Sequence, residues 1–311
     1  MIQCAGATWS YDESISDACD ALAGFATLPM IVVNPPNVGS FFIEVHESDD
    51  RYISHAIRTT GSWEPLETEV FARLLAADVE FFDIGANIGW YSMLAGKKLE
   101  SRGTVHAFEP VPENVCLLSR NAAVNGLNNI RINPCALGRT NGTTQIFLSP
   151  DNKGDHRAYP SSEERQSIPV GMRRFDAYFD RTLRKPLLIK MDTQGSEYDV
   201  LLGMGDILDS HCAEIAMVIE FWPHGLIQNG VDVDALIDLL ARRRFAPWVL
   251  WEGETRLCPS RWEDLANAAR TTLAPASLAY VNLVLSREPL GLVRLLDGLF
   301  SQDASRLVPR T

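Results

Sequence analysis

One stretch of this chain constrains its fold more than any other: Val79-Glu80-Phe81-Phe82-Asp83-Ile84-Gly85-Ala86-Asn87-Ile88-Gly89-Trp90. It opens with an apolar run, 79–84, short enough to be a buried parallel strand. The run closes on an acid, Asp83, and two glycines and a helix-like segment, WYSMLAGKKLE, follow. Strand, glycine turn and helix make the frame of a nucleotide-binding βα unit. Glycine lets the backbone turn sharply under a ligand, and the new helix offers free N–H groups and a positive dipole end.

The turn is not built for a dinucleotide, which needs G-x-G-x-x-G. Counted from Gly85, Asn87 and Trp90 stand where the second and third glycines belong. Asn87 would crowd a pyrophosphate, and Trp90 cannot give the close helix–strand packing that the third glycine serves. An acid ahead of the glycines suits a ligand with a cationic ammonium and no phosphate here, a description that S-adenosyl-L-methionine fits. Asp83 can also be read as a helix N-cap. A second strand, 104–109, ends in Glu109, with Pro110 fixing the turn behind it. An acid at that place can accept hydrogen bonds from both ribose hydroxyls; otherwise it is a surface glutamate at a strand end. A valine at Gly85 is expected to block the turn and abolish binding while leaving much of the fold intact.

D-I-G-A-N-I-G over 83–89, followed by Glu109-Pro110, looks like motif I and its following acid in S-adenosylmethionine-dependent methyltransferases. D-x-G-A-N-x-G in particular resembles the FkbM-type enzymes. G-S-W-E-P at 61–65 resembles the same family, as does I-K-M-D-T-Q-G-S-E at 189–197, although Gln194 stands where the family usually has Glu. The likeness runs over roughly 50–286. It implies an α/β fold of the class I methyltransferase (Rossmann-like) type. The mostly parallel seven-stranded sheet would have a reversed last strand, an inserted hairpin and an N-terminal extension. It also implies a cofactor site made by Asp83, Gly85, Ala86, Asn87, Gly89, Glu109, Pro110 and Asp192, with adenine over the loop that holds Ala136 and Leu137. The reaction implied is methyl transfer, most often to a hydroxyl.

The rest of the chain fits three regions: an extension or lid at 1–60, a methyltransferase domain at 61–287, and a C-terminal helix and tail at 288–311. Two strands, 28–33 and 40–46, flank the turn-rich NPPNVG, and 50–77 reads as helical with a break at Gly61 and Pro65. Strands are expected at about 130–136, 143–149, 165–172, 186–192, 214–222, 247–253 and 278–287. Helices are expected at 112–126, 173–181, 197–208 and 232–245. Asp192 ends the strand at 186–192, where it can orient an acceptor hydroxyl or take its proton. Lys190 alternates in register with it, which predicts an ion pair. Glu197 is a second candidate for catalysis or a helix cap, and His224, near Glu220 and Trp222, is an alternative base.

Charge narrows the partners. The chain has 28 Lys and Arg against 40 Asp and Glu, a net charge of −12. Nucleic acid and anionic membrane surfaces need a basic footprint, so both are disfavoured. The first basic residue is Arg51, which argues against a secretory or Arg-rich transit leader, and no apolar run reaches the ~18 residues of a membrane span. Six cysteines form no C-x-x-C pair and read as reduced thiols of a cytoplasmic protein, with no metal site. The partner expected is a small-molecule or glycan acceptor, with a homodimer left open. An NAD-dependent oxidoreductase and a non-catalytic cofactor-binding scaffold are the alternatives.

Overall fold

A computed structural model of the protein describes residues 30–47, 50–160, 164–179, 182, 184–211, 213–250, 256–274, 276, 278–287 and 292–299. Residues 1–29 of the extension or lid expected at 1–60, the start of the C-terminal helix at 288–291 and the tail at 300–311 lie outside them. At 292–296 the chain forms one short 3-10 turn.

The central sheet forms where the sequence becomes continuously apolar. Strands β3 (Glu80–Ile84), β4 (Val105–Phe108), β9 (Leu187–Met191) and β10 (Ile215–Phe221) are buried along their whole lengths. That pattern belongs to parallel strands covered by helices on both faces. The full order is β12-β11-β13-β10-β9-β3-β4-β5, with β5 at Ile130–Asn133, β11 at Ala246–Leu250, β12 at Leu257–Pro259 and β13 at Val281–Ser286. β5, β4, β3, β9 and β10 run parallel, and β13 runs antiparallel between β10 and β11. This is the mostly parallel sheet with a reversed last strand that the resemblance implied. Its eight strands correct the expected seven. The extra one is β12, an antiparallel edge strand of three residues, too short to show a period in the sequence.

Helices cover both faces. One face carries α1 (Ile53–Thr60), α2 (Pro65–Leu74), α3 (Trp90–Leu99) and α4 (Pro112–Val124). The break expected between the first two is real: Gly61 caps α1 at φ +70°, and Pro65 opens α2. The other face carries α5 (Phe175–Tyr178), α6 (Glu197–Gly203), α7 (Gly205–Ser210), α8 (Pro223–Gln228), α9 (Val233–Arg242) and α10 (Trp262–Arg270). The helix read at 197–208 is therefore two, joined at Met204. Neither α10 nor α8 was read from the sequence.

The two predicted N-terminal strands are β1 (Met30–Val33) and β2 (Phe41–Glu44), an antiparallel hairpin. β2 is held to α4 by two asparagines. Asn125 donates to Phe42 O and accepts from Phe42 N, and Asn121 does the same for Glu44. Each side-chain amide thus meets both backbone groups of one residue, as a neighbouring strand would. The inserted hairpin is β7 (Gly142–Phe147) with β8 (Ser167–Arg173), and β6 (Ala136–Leu137) adds a third strand beside β8. The strand read at about 130–136 is thus split between two sheets.

Three described cysteines, Cys116, Cys135 and Cys258, are buried and in no disulfide. Among the described residues no helix is long and apolar enough to cross a membrane, and no His, Cys, Asp and Glu cluster could hold a metal ion.

Candidate active site

The carboxyl ends of β9, β3 and β4 open into a cleft, the place where open α/β sheets bind their ligands. Of the predicted cofactor residues, Gly85, Asn87, Glu109 and Pro110 line it, with Ala136, Leu137 and Asp192. Asp83, Ala86, Gly89, Glu197 and His224 are not among its lining residues. Phe108, Pro110, Cys135, Leu137 and Ile146 make one end apolar, and Asp192, Thr193, Gln194 and Ser196 make the other polar.

The glycine turn is held from several sides. Gly85 has φ +82° and Gly89 φ +91°. Asn87, at φ +50°, tolerates the left-handed region because its side chain bonds the local backbone: Oδ1 accepts from Ile88 N at 2.7 Å. Its Nδ2 donates to Lys153 O at 2.7 Å, and its own N–H donates to Glu109 Oε2 at 2.8 Å. Glu109 Oε1 also accepts from Val111 N and Asn114 Nδ2. A carboxylate has about four acceptor sites, and three are used here, so this geometry leaves room for one ribose hydroxyl rather than two. Burial pushes the Glu109 carboxyl up to about 7, against those hydrogen bonds.

Asp83 is 1% exposed. Its Oδ2 accepts from Ser92 Oγ at 2.6 Å, while Oδ1 has no hydrogen-bond partner. An orphaned buried carboxylate oxygen beside a glycine turn is what a ligand ammonium would satisfy. The residues present therefore fit the cofactor expected from the sequence. The N-cap alternative is not what is seen: Gly89 is the N-cap of α3.

At the polar end, Asp192 Oδ2 lies 3.1 Å from Lys190 Nζ, the ion pair expected from their spacing. Gln194 Nε2 donates to Asp192 Oδ1 at 2.7 Å and reaches Glu220 at 3.3 Å. A glutamate at 194 would set three carboxylates together; the amide bridges the other two instead. Burial raises Glu220 well above the usual carboxylate range, and Asp192 and Glu197 add to it. Lys190 also lies 3.8 Å from Glu67 and 4.7 Å from the Tyr91 ring centroid. Burial opposes its charge, but Asp192, Glu67, Glu64 and Asp83 outweigh that and raise its pKa.

Glu197 is fully buried at the start of α6. Its Oε1 accepts from Thr193 N, Thr193 Oγ1 and Gly195 N. These bonds tie down the loop ahead of α6, whose N-cap is Ser196 without a side-chain cap bond, and burial raises the Glu197 pKa. His224 sits on α8 with its ring 5.4 Å from that of Trp222. His106 is a core residue, stacked on Phe82 at 4.6 Å and bonded to Tyr178.

Sequence reasoning missed the groups that reach the site from a distance. Glu64, Glu67 and Tyr91 approach it from α2, its N-cap and α3; Tyr91 donates to Glu64 Oε2 at 2.8 Å. The only signal was the G-S-W-E-P likeness, which placed that segment over the cofactor. The loop after β7 gives Lys153, Gly154, His156 and Ala158 to the cleft. It is tied on one side by Asn87 and on the other by Tyr159, whose hydroxyl donates to Gln194 O at 2.7 Å.

His156 yields a pH prediction. Burial, with Lys153 and His46 nearby, lowers its pKa from 6.5 to about 4, so the fold favours the neutral ring. Its Nδ1 accepts from Ser149 N. A base depressed in the folded state adds stability above its unfolded pKa and loses it as pH falls from about 6.5 to about 4. Glu109, raised to about 7, has the opposite sign between about 4.5 and 7, so the readout is a difference. His156→Asn keeps an acceptor without the charge. Its denaturation free energy should fall less than wild type between pH 6.5 and 4, by up to about 3 kcal/mol. Parallel curves would refute the assignment.

The family profile described as "Methyltransferase FkbM domain" matches residues 83–247, more than half of the chain. "Methyltransferase 1" of Beauveria bassiana (strain ARSEF 2860) is 24% identical over 144 residues, covering 40% of this chain and 57% of that protein. "31-O-demethyl-FK506 methyltransferase FkbM" of Streptomyces tacrolimicus is 34% identical over 88 residues, covering 28% of this chain and 33% of that one. A solved structure of a methyltransferase FkbM from Methylobacillus flagellatus KT is 17% identical with a TM-score of 0.39, covering 67% of this chain and 44% of that one. The match thus spans between a third and somewhat over half of the length of these two curated relatives.

Proposed function

The chain belongs to the FkbM methyltransferase family, and from that premise we propose that it transfers a methyl group from S-adenosyl-L-methionine to a hydroxyl of a small-molecule, polyketide or sugar acceptor. The observation that carries this reading is the cleft over the glycine turn, with Glu109 on one bank and Asp192 on the other. Its apolar end suits an adenine ring. Glu109 holds the turn by the Asn87 amide and keeps one acceptor site for a ribose hydroxyl. Asp83 Oδ1, buried behind the cleft lining, is the unsatisfied acceptor that would meet the methionine ammonium directly or through water.

When bound, the cofactor supplies a methyl group activated on a sulfonium. The protein's share is alignment and proton handling. Aligning two reactants in one cleft is worth ~7–11 kcal/mol. Asp192, held by Lys190 and Gln194, would orient the acceptor hydroxyl and receive its proton.

Calorimetry with S-adenosylhomocysteine and with NAD tests the reading: the first should bind and the second should not. Glu109→Ala should weaken S-adenosylhomocysteine by about 1.5–3 kcal/mol, the scale of lost charge-assisted hydrogen bonds. Unchanged affinity in the folded variant would remove Glu109 from the site.

A further inference from the structure

Register sets a row of charged side chains on one face of the central sheet. Asp83 pairs with Lys190 across β3 and β9, and Glu220 pairs with Asn282 across β10 and β13. Val218 pairs with Lys190, so Asp192 and Glu220, two residues further on, continue the same rows at the carboxyl ends of their strands. Paired residues of neighbouring strands project to one face, and so do residues two apart. From above, α2 brings Glu67, whose Oε2 accepts from Asn282, and the Glu64 N-cap.

The row is short of positive charge. Asp83, Glu64, Glu67, Asp192 and Glu220 surround the single ammonium of Lys190, and each of the first four stabilises it. Glu220 is 7% exposed, and Asp192, Glu197 and Glu64 all act against its ionisation. Asp83 Oδ1, buried in this row, has no hydrogen-bond partner. Uncompensated buried charge is costly, so such a row favours a ligand that arrives as a cation.

Under the function proposed above, the donor and its product differ in just this respect. Both carry the methionine ammonium that Asp83 can meet, but only the donor has a sulfonium; the product has a neutral thioether. We propose that Asp192, the member of the row that lines the cleft, reads this charge with Glu67 and Glu220 behind it, so that the site holds S-adenosylmethionine more tightly than S-adenosylhomocysteine and releases its product readily. This rests on the methyltransferase reading. It makes Glu67 and Glu220 specificity-determining residues for the donor.

Calorimetry on the full chain tests it with three probes: S-adenosylmethionine, S-adenosylhomocysteine and sinefungin, an unreactive analogue with an amine in place of the sulfonium. Wild type should bind the two cationic compounds at least ~10-fold tighter than the thioether, about 1.4 kcal/mol. Glu220→Gln and Glu67→Gln should bring that ratio toward one while leaving S-adenosylhomocysteine affinity unchanged. A wild-type ratio near one overturns the proposal, as does an undiminished ratio in both variants. If both variants unfold, Glu64→Gln, at the half-exposed rim of the row, is read by the same ratio with the same two outcomes. Failure of wild type to bind any of the three would instead refute the methyltransferase reading, and the present proposal with it.

Discussion

Gly85→Ala is expected to destabilise the protein by about 4 kcal/mol and to abolish measurable S-adenosylhomocysteine binding. A β-carbon at Gly85 would lie 1.9 Å from the carbonyl oxygen of Asp192, a backbone atom. Asp192 cannot retreat, because its N–H donates to Ile84 O at 3.0 Å and so ties the end of β9 to β3. The φ of +82° adds strain for any residue with a side chain. Relief would require parting two central strands at the end where the cleft opens. Gly85→Val, read from the sequence as a local block, should therefore also damage the sheet. Denaturant unfolding and calorimetry together decide this. A variant with native stability and affinity would show that the turn can be built another way.

Asp192→Asn should lower the turnover rate by ~10²-fold or more while S-adenosylhomocysteine affinity changes little. The amide keeps the shape and can still meet Gln194, but it cannot accept a proton. Lys190 keeps Glu67 at 3.8 Å and the Tyr91 ring, so the fold should survive. His224→Ala is the comparison. His224 rests against Trp222 on α8, outside the lining of the cleft, and its loss should leave the rate near normal. If the two variants behave the other way round, with turnover kept without the Asp192 carboxylate and lost without His224, the proton acceptor is His224.

The legible parts of the fold were those with a local cause. Apolar runs of five to seven residues ending in Asp83, Glu109 and Asp192 read directly as buried strands with acids at one edge. Gly61 and Pro65 punctuated the first two helices because φ above zero and a missing N–H act on their own residues. Three-residue β12 had no room for a period, and α10 lay in a polar stretch whose apolar positions, Leu265, Ala268 and Ala269, are few and small. The short α8, six residues opened by Pro223, leaves too few positions for a helical period, so His224 read as a loop residue.

The candidate site divides along the same line. By itself the sequence determined the glycine turn, the acids at the strand ends, the family and the Lys190–Asp192 pair, because each depends on neighbours in the chain or on the two-residue period of a strand. Only the tertiary structure decided what those groups meet. Asn87 reaches Lys153 across 66 positions, and Glu67 meets Lys190 from a helix far earlier in the chain. Gln194 takes its place between two carboxylates because β9 and β10 run side by side. Charge balance is a sum over everything within a few ångströms, and no local pattern contains that sum. That is why Glu67 and Glu220 became visible only after folding had brought five carboxyls around one lysine.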